Sequence, residues 1–413
     1  MSKISLYKTQ PIVRLFGHFV VWVCIIYFRI RKRMPVEIKK LKGPYLVIAN
    51  HVGHWDPFII ATQLPVYTHF VSSDAAFRNP LARFFLKCFG TIPKMKNVRD
   101  AKVIRDMVHM IESGRNIGLF PEAVRNWSGV TANIDPSIVK LIKLLNVPVV
   151  SVVLKGMNLA HPRWSFRYQR TFMEAEYGLL LTQEQIKTLS GDEIFSKVQN
   201  GLAHAEVEYQ RQHMNPIKSD TRAEFLSYAL FVCPECNAIG SFTSKRNDFI
   251  CESCGYHIYV DTYRFFELRN GRKLYFDNIR DWFNWQEEKF VQFIKSALEK
   301  ESKEPILLDK NFKVFKAKGK EVFKPIGSGS LSLMCNSVIF EFDNHADKII
   351  FDLNELKTIN PQVKERLELF YKDSTYRFEN IEPGISGLKW EYAVNVIWKN
   401  KGQYHKLSSY LNV

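Results

Sequence analysis

The residues in this sequence best suited to proton transfer are His51 and Asp56, which are separated by four residues within NHVGHWDP. An imidazole titrates near neutral pH, so it can take a proton from a hydroxyl group and return it to a leaving group. A carboxylate that accepts the second ring N–H fixes the tautomer and stabilises the imidazolium. The spacing therefore predicts a general base, His51, oriented by Asp56.

The same spacing occurs a second time, at His69 and Asp74 in THFVSSDAAF, so the context has to distinguish the two pairs. His51 follows PYLVIAN, a short apolar run that predicts a buried strand. Functional sites of open α/β sheets lie at the carboxyl ends of strands. His69 lies within a strand-like run, where we expect it to pack or to face solvent. We therefore favour His51 as the base.

The segments around His51 alternate between predicted strands and helices. Further apolar strands are expected up to Phe120 and over Asn146–Gly156. Between them the pattern predicts a helix that ends near Gly114 and has four apolar residues on one face, Val103, Met107, Met110 and Ile111. This alternation predicts an α/β architecture, a mixed sheet flanked by helices.

Four segments resemble, in order, the sequence blocks of glycerolipid acyltransferases of the 1-acyl-sn-glycerol-3-phosphate acyltransferase (PlsC-like) family: NHVGHWDP, FRNPLARFFLKCFGTIPKMK, FPEAVRNWSG and VPVVSVVLKG. The resemblance covers roughly residues 45–170 and implies the glycerol-phosphate acyltransferase fold, with an acyltransferase domain over residues 44–215. It also implies an activity. An acyl chain would move from an acyl thioester, of coenzyme A or acyl carrier protein, to the hydroxyl of a lysophosphatidic-acid-like acceptor. No cofactor is expected for catalysis.

The resemblance assigns roles to individual residues. His51 and Asp56 match the catalytic pair of the family. Glu122 and Arg125 match its FPEGTR block, and Lys96 stands where the second block often ends in arginine. The match implies that Glu122, Arg125 and Lys96 bind substrate. A guanidinium suits an acceptor phosphate because it donates two parallel hydrogen bonds, whereas lysine supplies charge without that fork.

Departures from the family pattern leave the acceptor open. Ala123 and Val124 replace the usual Gly-Thr, and Ser151 replaces a common proline. The loss of the glycine and of the threonine hydroxyl changes the backbone and the donors near the acceptor. One alternative is therefore an acyltransferase for a different lyso-lipid. Another is a non-catalytic module that recruits partners to a membrane, against which the retention of the catalytic pair argues.

The first 43 residues predict a basic, apolar membrane anchor. The apolar run Leu15–Phe28 has fourteen residues, fewer than the ~20 that cross a bilayer core. Of the net charge of +16, a net +9 falls before Tyr45, from Lys3, Lys8, Arg14, Arg29, Arg31, Lys32, Arg33, Lys39, Lys40 and Lys42 against Glu37. Basic residues beside an apolar helix favour an anionic membrane surface over nucleic acid. We expect a peripheral or monotopic protein on the cytoplasmic face of a membrane. A buried helix of the soluble fold is the alternative.

Four of the seven cysteines form two close pairs, Cys233 with Cys236 and Cys251 with Cys254, with fourteen residues between the pairs. This spacing predicts a structural zinc site in a zinc ribbon over residues 228–262. Four thiolates leave no open coordination position, so no catalytic role is expected. Four free cysteines in an ordinary hairpin are the alternative. The remaining three stand alone in apolar surroundings, and this distribution favours a reducing compartment.

The last third of the chain changes from a helical to an alternating pattern. A linker helix is predicted over residues 276–301, with Phe290, Phe293, Ile294 and Ala297 on its apolar face. Several short strands follow, and the final helix offers Trp390, Ala393, Val394 and Ile397 as a packing face. Antiparallel strands closed by one helix predict a β-barrel-like, pleckstrin-homology-like (PH-like) domain over residues 305–413.

Overall fold

The structure is a computed structural model of the 413-residue chain. It describes residues 7–73, 76–77, 80–94, 101–122, 124–300, 304–319, 321–344, 347–362, 366–381, 384–408, 410–411 and 413. The chain divides into two compact units. One comprises Met1–Arg163 and Tyr168–Lys218, and the other comprises Trp164–Arg167 and Ser219–Val413.

The first unit contains one seven-stranded mixed sheet with helices between its strands. Its elements are α1 (Pro11–Tyr27), β1 (Ile30–Arg33), α2 (Val36–Lys39), β2 (Leu46–Ala49), α3 (Asp56–Gln63), β3 (Thr68–Ser73), α4 (Pro80–Cys88), β4 (Ile92–Lys94), α5 (Ala101–Glu112), β5 (Asn116–Leu119), α6 (Ser137–Leu145), β6 (Val149–Lys155), α7 (Met157–Ala160), β7 (Met173–Leu181), α8 (Gln183–Thr188), α9 (Gly191–Leu202) and α10 (Glu206–His213). The strand order is β1-β7-β6-β2-β5-β3-β4, and every pair is parallel except β6 with β7. The predicted mixed α/β sheet is confirmed.

Strand β2 is the buried centre of this sheet, as its apolar sequence predicts. All four of its residues are inaccessible to solvent. Because side chains alternate along a strand, Val47 and Ala49 join the apolar core on one face, and Leu46 and Ile48 join the core on the other. The strand that leads into His51 is therefore packed on both sides and gives the residue a rigid base.

Two predictions on neighbouring elements are also confirmed. The four apolar residues predicted to share a face of α5 are all buried. His69 lies on β3 and is buried, and its Nδ1 lies 2.9 Å from the carbonyl oxygen of Gly90. Asp74, its partner in the repeated spacing, lies outside the described residues. His69 is thus a packed core histidine.

Helix α1 contains most of the apolar run predicted as an anchor, and only Val21 in it is fully buried. Eight large apolar side chains with helical spacing are exposed on its outer face: Ile12, Leu15, Phe16, Phe19, Trp22, Val23, Ile26 and Tyr27. The alternative of a helix buried within the soluble fold is therefore wrong for this face. We call these eight residues the α1 stripe.

The basic residues after α1 form an edge strand. Strand β1 pairs in parallel with β7, and its last three residues are exposed. Each also has a partner within the unit. Arg31 lies over the ring of Phe172, Lys32 donates to the carbonyl oxygen of Gln63, and Arg33 pairs with Glu174 at 2.8 Å. The predicted anchor segment is thus continuous with the sheet.

In the part of the second unit that the structure describes, there are two antiparallel sheets and two α-helices. Its elements are β8 (Phe242–Lys245), β9 (Asp248–Cys251), β10 (His257–Val260), β11 (Phe266–Asn270), α11 (Ile279–Glu299), β12 (Leu307–Lys318), β13 (Lys324–Leu333), β14 (Ser337–Phe342), β15 (Lys348–Asp352), β16 (Leu356–Pro361), β17 (Leu367–Tyr371), β18 (Ser374–Asn380) and α12 (Gly387–Asn400). The first sheet has the order β11-β10-β9-β8, and the second has the order β15-β14-β13-β12-β18-β17-β16. The expected C-terminal antiparallel domain with a closing helix is confirmed.

Both helices of this unit differ in detail from prediction. On α11, Phe290 and Ile294 are buried as expected, but Phe293 is exposed, because the buried face runs instead through Trp282, Phe283 and Gln286. On α12, residues 387–398 are buried on every side, including the charged Lys389 and Glu391. Lys389 pairs with Asp309 at 2.7 Å. The prediction of a one-sided packing face was therefore too narrow for α12.

Candidate functional site

His51 lies immediately beyond the carboxyl end of β2, where the chain is fixed to the neighbouring strand β6. The side chain of Asn50 makes this connection. Its amide donates to the carbonyl oxygen of Leu154 at 3.1 Å, and its oxygen accepts the N–H of Leu154 at 2.7 Å. The backbone entering His51 is thus held on two sides, and α3 begins five residues later, at Asp56.

The ring of His51 and the carboxylate of Asp56 form the predicted pair. Nδ1 of His51 lies 3.0 Å from Oδ2 of Asp56. The same oxygen accepts the backbone N–H groups of Val52 at 2.7 Å and Gly53 at 2.8 Å. Both backbone contacts to this oxygen are N–H donors, so it acts as an acceptor, and the ring proton lies on Nδ1. Nε2 is therefore the nitrogen left to exchange protons with a substrate.

The loop after β5 holds the backbone of His51 at both its N–H and its carbonyl. Oε1 of Glu122 accepts the N–H of His51 at 2.7 Å, and Oε2 accepts the N–H of Ala132 at 2.6 Å. The N–H of Asn126 donates to the carbonyl oxygen of His51 at 3.2 Å. The ring of His51 also stacks on Phe120, with centroids 4.2 Å apart. His51 is thus fixed through its ring nitrogen, through its backbone and through the face of its ring.

Glu122 is almost fully buried, and its two oxygens join the two loops that border the site. The pKa of its carboxyl group is raised to about 8, mainly by burial. The two backbone N–H groups act against this rise, and the charge of Asp56 adds to it. The resemblance to known sequences implied that Glu122 binds substrate. Its observed contacts are with the backbone, and through them it positions His51.

A second layer behind this loop was not found from the sequence. The side chain of Asn158 donates to Oδ1 of Asn126 at 3.1 Å, and Glu206 accepts the backbone N–H groups of Gly156 at 2.8 Å and Asn158 at 3.3 Å. Gly156 has φ +72°, and a Cβ there would lie 2.1 Å from the carbonyl oxygen of Phe172, so only glycine fits. These residues connect the start of α10 to the carbonyl of His51.

Comparison with known families agrees with this arrangement. Residues 28–155 match the model of the family described as Acyltransferase, a segment that includes the His51–Asp56 pair, Glu122 and Arg125. The chain contains an acyltransferase domain. The resemblance stated from the sequence motifs is confirmed at this level.

A comparison with solved structures also gave matches to the chain. One is the 1-acyl-sn-glycerophosphate (LPA) acyltransferase PlsC from Thermotoga maritima, which is 15% identical, with a TM-score of 0.38, over 46% of this chain and 77% of that chain. A comparison with curated proteins gave no match.

Of the two basic residues predicted to bind substrate, Arg125 and Lys96, the structure describes only Arg125. Arg125 is partly buried. Burial lowers the pKa of His54, a histidine of the His51 loop, and the charge of Arg125 lowers it further. Lys96 lies outside the described residues. Two further basic residues, His161 and Arg163, also act electrostatically on His54. Neither residue belongs to one of the four sequence blocks, because both follow the last block, so no motif pointed to them.

Aromatic rings connect this region to the end of α1. Tyr168 stacks on His161, with centroids 4.0 Å apart and ring planes 9° apart, and it contacts Phe28 at 5.6 Å. Burial raises the pKa of its hydroxyl group, the charge of Asp56 acts in the same direction, and that of Arg125 acts in the opposite one. Tyr168 thus connects the region of Asp56 and Arg125 with the end of the apolar helix.

The four paired cysteines lie together in the second unit, around the four-stranded sheet. Their sulfur atoms are all within 4.8 Å of one another. Sγ of Cys233 lies 3.7 Å from that of Cys254, and Sγ of Cys236 lies 3.8 Å from that of Cys251. Four thiolates around zinc at ~2.3 Å form a tetrahedron with edges of about 3.8 Å. The cluster therefore fits a structural zinc ion.

Proposed function

We propose that this protein moves an acyl chain from an acyl thioester to the hydroxyl of a lysophosphatidic-acid-like acceptor, with His51 as the general base. The observation that carries the proposal is the 3.0 Å contact between Nδ1 of His51 and Asp56 within a matched acyltransferase domain. This contact fixes the neutral tautomer that an alcohol substrate needs.

The proposed reaction needs one proton carrier. As the acceptor oxygen attacks the thioester carbonyl, its proton passes to Nε2 of His51, and Asp56 stabilises the imidazolium that forms. The tetrahedral intermediate then collapses, and the bond between carbon and sulfur breaks. The departing thiolate takes the proton from Nε2, which leaves the ester, a free thiol and a neutral His51. The donor is an acyl-coenzyme A or an acyl carrier protein.

In this proposal Glu122 positions the base and Arg125 binds the acceptor phosphate. Glu122 holds the N–H of His51, so a shift of this carboxylate would move the catalytic ring. Arg125 lies on the same loop, near His54. A guanidinium can donate two parallel hydrogen bonds to a phosphate. Lys96 remains a predicted helper.

The proposed site of action is the surface of an anionic membrane, at its cytoplasmic face. Among the described residues, no helix is long and apolar enough to cross a bilayer. The α1 stripe instead presents large apolar side chains along one side of a seventeen-residue helix, which suits insertion into one leaflet. Leu81, Phe84 and Phe85 of α4 are also exposed. A peripheral or monotopic attachment is therefore part of the proposal.

A structural zinc ion is also part of the proposal. The sulfur geometry supports it, and the cluster contains four protein ligands, so no open position is left for substrate. The ion would hold the loops that carry Cys233 and Cys254 together.

The proposal has one enzymatic alternative, a different lyso-lipid acceptor. Val124 stands where the family has threonine, and it is buried, so a hydroxyl donor is missing beside Arg125. A non-catalytic recruitment module is the second alternative, and the held geometry of His51 argues against it.

The direct test is lipid mass spectrometry after incubation of the purified chain with acyl-coenzyme A, or separately with acyl carrier protein thioester, and a panel of lyso-lipids in vesicles. We expect a diacyl product from lysophosphatidic acid, no product from the His51→Ala variant, and near-normal activity in His69→Ala, since His69 is a core residue. Product from another acceptor alone would establish the first alternative. The absence of product from every acceptor and either donor would refute the acyl-transfer proposal.

A further inference from the structure

Arg163 lies beside the catalytic loops, although it is outside the segment that matches the acyltransferase family. Its Nη1 donates to the backbone carbonyl oxygen of Arg125 at 2.8 Å. The guanidinium carbon lies 4.0 Å from the ring centroid of Trp127. Arg163 is also 9% exposed. The side chain is thus held in place before any substrate arrives, and it supports the loop that carries Arg125.

Arg163 and Arg125 both act on His54. Burial of the ring is the main cause that lowers the pKa of His54 to about 3, and the charges of Arg125 and Arg163 add to this lowering. His54 remains accessible to solvent. Two guanidinium groups near one accessible imidazole create a positive potential next to His51.

Two acidic groups of the site, Asp56 and Glu122, offset only part of this potential. Asp56 contributes one negative charge, and its Oδ2 accepts the ring N–H of His51 and two backbone N–H groups. Glu122 is bound to two backbone N–H groups, and burial raises its pKa. Like charges placed together in a poorly solvated region are unfavourable, and an anionic ligand would relieve that cost. The arrangement therefore favours an anion at the accessible side of His54.

We propose that Arg163 is a second cationic anchor for the phosphate ester of the acyl acceptor, and that it makes the enzyme prefer phosphomonoester acceptors. This inference rests on the proposed function and goes beyond it by naming a specificity residue. A phosphomonoester carries close to two negative charges at neutral pH, whereas a phosphodiester carries one. A second guanidinium therefore benefits the monoester more.

The kinetic test uses the full chain and two acceptors, lysophosphatidic acid as the monoester and lysophosphatidylglycerol as the diester. For Arg163→Gln we expect KM for the monoester to rise about tenfold or more, the effect of losing a charge-assisted hydrogen bond, with kcat within about threefold. KM for the diester should change little, and Arg163→Lys should restore part of the preference. Arg167→Gln is the matched control, because Arg167 is an exposed arginine four residues away. An equal rise in KM for both acceptors would overturn the proposal.

The same chemistry could bind a phosphate of coenzyme A, and the kinetics separate the two sources. A rise in KM for the acyl-coenzyme A donor, with KM for the acceptor unchanged, would assign the anchor to the donor and overturn the proposal.

A binding measurement separates this inference from the proposed activity. Calorimetry at low ionic strength with glycerol 3-phosphate should show binding to the wild-type chain, to His51→Ala and to Arg167→Gln, and at least tenfold weaker binding to Arg163→Gln. If no lipid is acylated but this binding pattern is observed, the proposed function is overturned and the assignment of Arg163 as a phosphate anchor stands. Unchanged binding to Arg163→Gln would remove the inference.

If Arg163→Gln fails to fold, as loss of its contact with Trp127 could cause, the wild-type chain still gives a result. Ring protons of His54, assigned with a His54→Asn variant, should shift during titration with glycerol 3-phosphate. The absence of any shift would overturn the proposal.

Discussion

Replacement of Asp56 by asparagine tests the catalytic pair at its most specific contact. Oδ2 of Asp56 accepts three N–H groups, from the ring of His51, from Val52 and from Gly53. Asparagine can place one neutral oxygen at this position and so keep the loop closed. It cannot supply the negative charge that stabilises the imidazolium formed during the reaction.

The structure sets the size of the effect. An imidazolium and a carboxylate about 4 Å apart attract one another by about 4 kcal/mol at an effective dielectric constant of 20. Because each 1.36 kcal/mol corresponds to a factor of ten in rate, kcat should fall about a thousandfold. The cost in stability should be smaller, about 1–2 kcal/mol, since charge-assisted hydrogen bonds to the loop become neutral ones.

The assay follows thiol release from acyl-coenzyme A in the presence of the acceptor, with a thermal melt of each variant. Asp106→Asn is the matched control. Asp106 is also a buried aspartate, but it accepts hydrogen bonds from Tyr7 at 2.7 Å and Lys102 at 2.6 Å, on α5. It should lose stability and keep kcat within about twofold. A folded Asp56→Asn variant with kcat within tenfold of wild type would refute the assignment of His51 and Asp56 as the acid–base unit.

Three further predictions concern Glu122, the membrane and zinc. The pKa of Glu122 is raised from 4.5 to about 8 in the folded chain, so its contribution to stability is present at low pH and is lost as pH rises across that window. Melting temperatures from pH 5 to 9 should therefore fall more steeply for wild type than for Glu122→Gln, and parallel curves would contradict this. Replacing Leu15, Phe19 and Trp22 by serine should weaken binding to anionic vesicles roughly a hundredfold, because each side chain that enters the leaflet in part contributes about 1 kcal/mol. Leu308→Ser with Ile350→Ser, which are exposed on the C-terminal sheet, should leave vesicle sedimentation unchanged, and equal loss in both sets would refute a specific role for the α1 stripe. Elemental analysis should find one zinc per chain in wild type and in Cys335→Ser, and less than one in Cys236→Ser; wild-type protein purified without chelator and lacking zinc would exclude the site.

Much of the first unit was predictable because it depends on local patterns. The uninterrupted apolar run before His51 predicted a strand buried on both faces, and β2 is such a strand. The helical spacing from Val103 to Ile111 predicted the inner face of α5. In both cases the order of residues along one element determines which side chains are buried, so a single sequence is sufficient to predict the burial.

The second unit shows where local pattern fails. A period of 3.6 residues predicted a single packing face on α12. In the structure the Nζ of Lys389 donates to Asp309 from eighty residues away, and Glu391 accepts from Ser408 at 3.0 Å. Partners distant in sequence make it possible to bury these charges, and no local pattern identifies them.

The same reasoning explains what was predictable about the site. His51 and Asp56 are five residues apart, so their contact follows from one loop and the first turn of one helix. The support for His51 has a different origin, because it comes from three places in the chain: Glu122 and Asn126 on one loop, Asn158, and Glu206. Asparagine and glutamate are usually exposed residues. Their role in supporting His51 becomes visible only through the hydrogen bonds that they make in the structure. Sequence motifs therefore predict His51 as the residue that exchanges the proton, whereas the contacts that hold His51 in place are seen only in the fold.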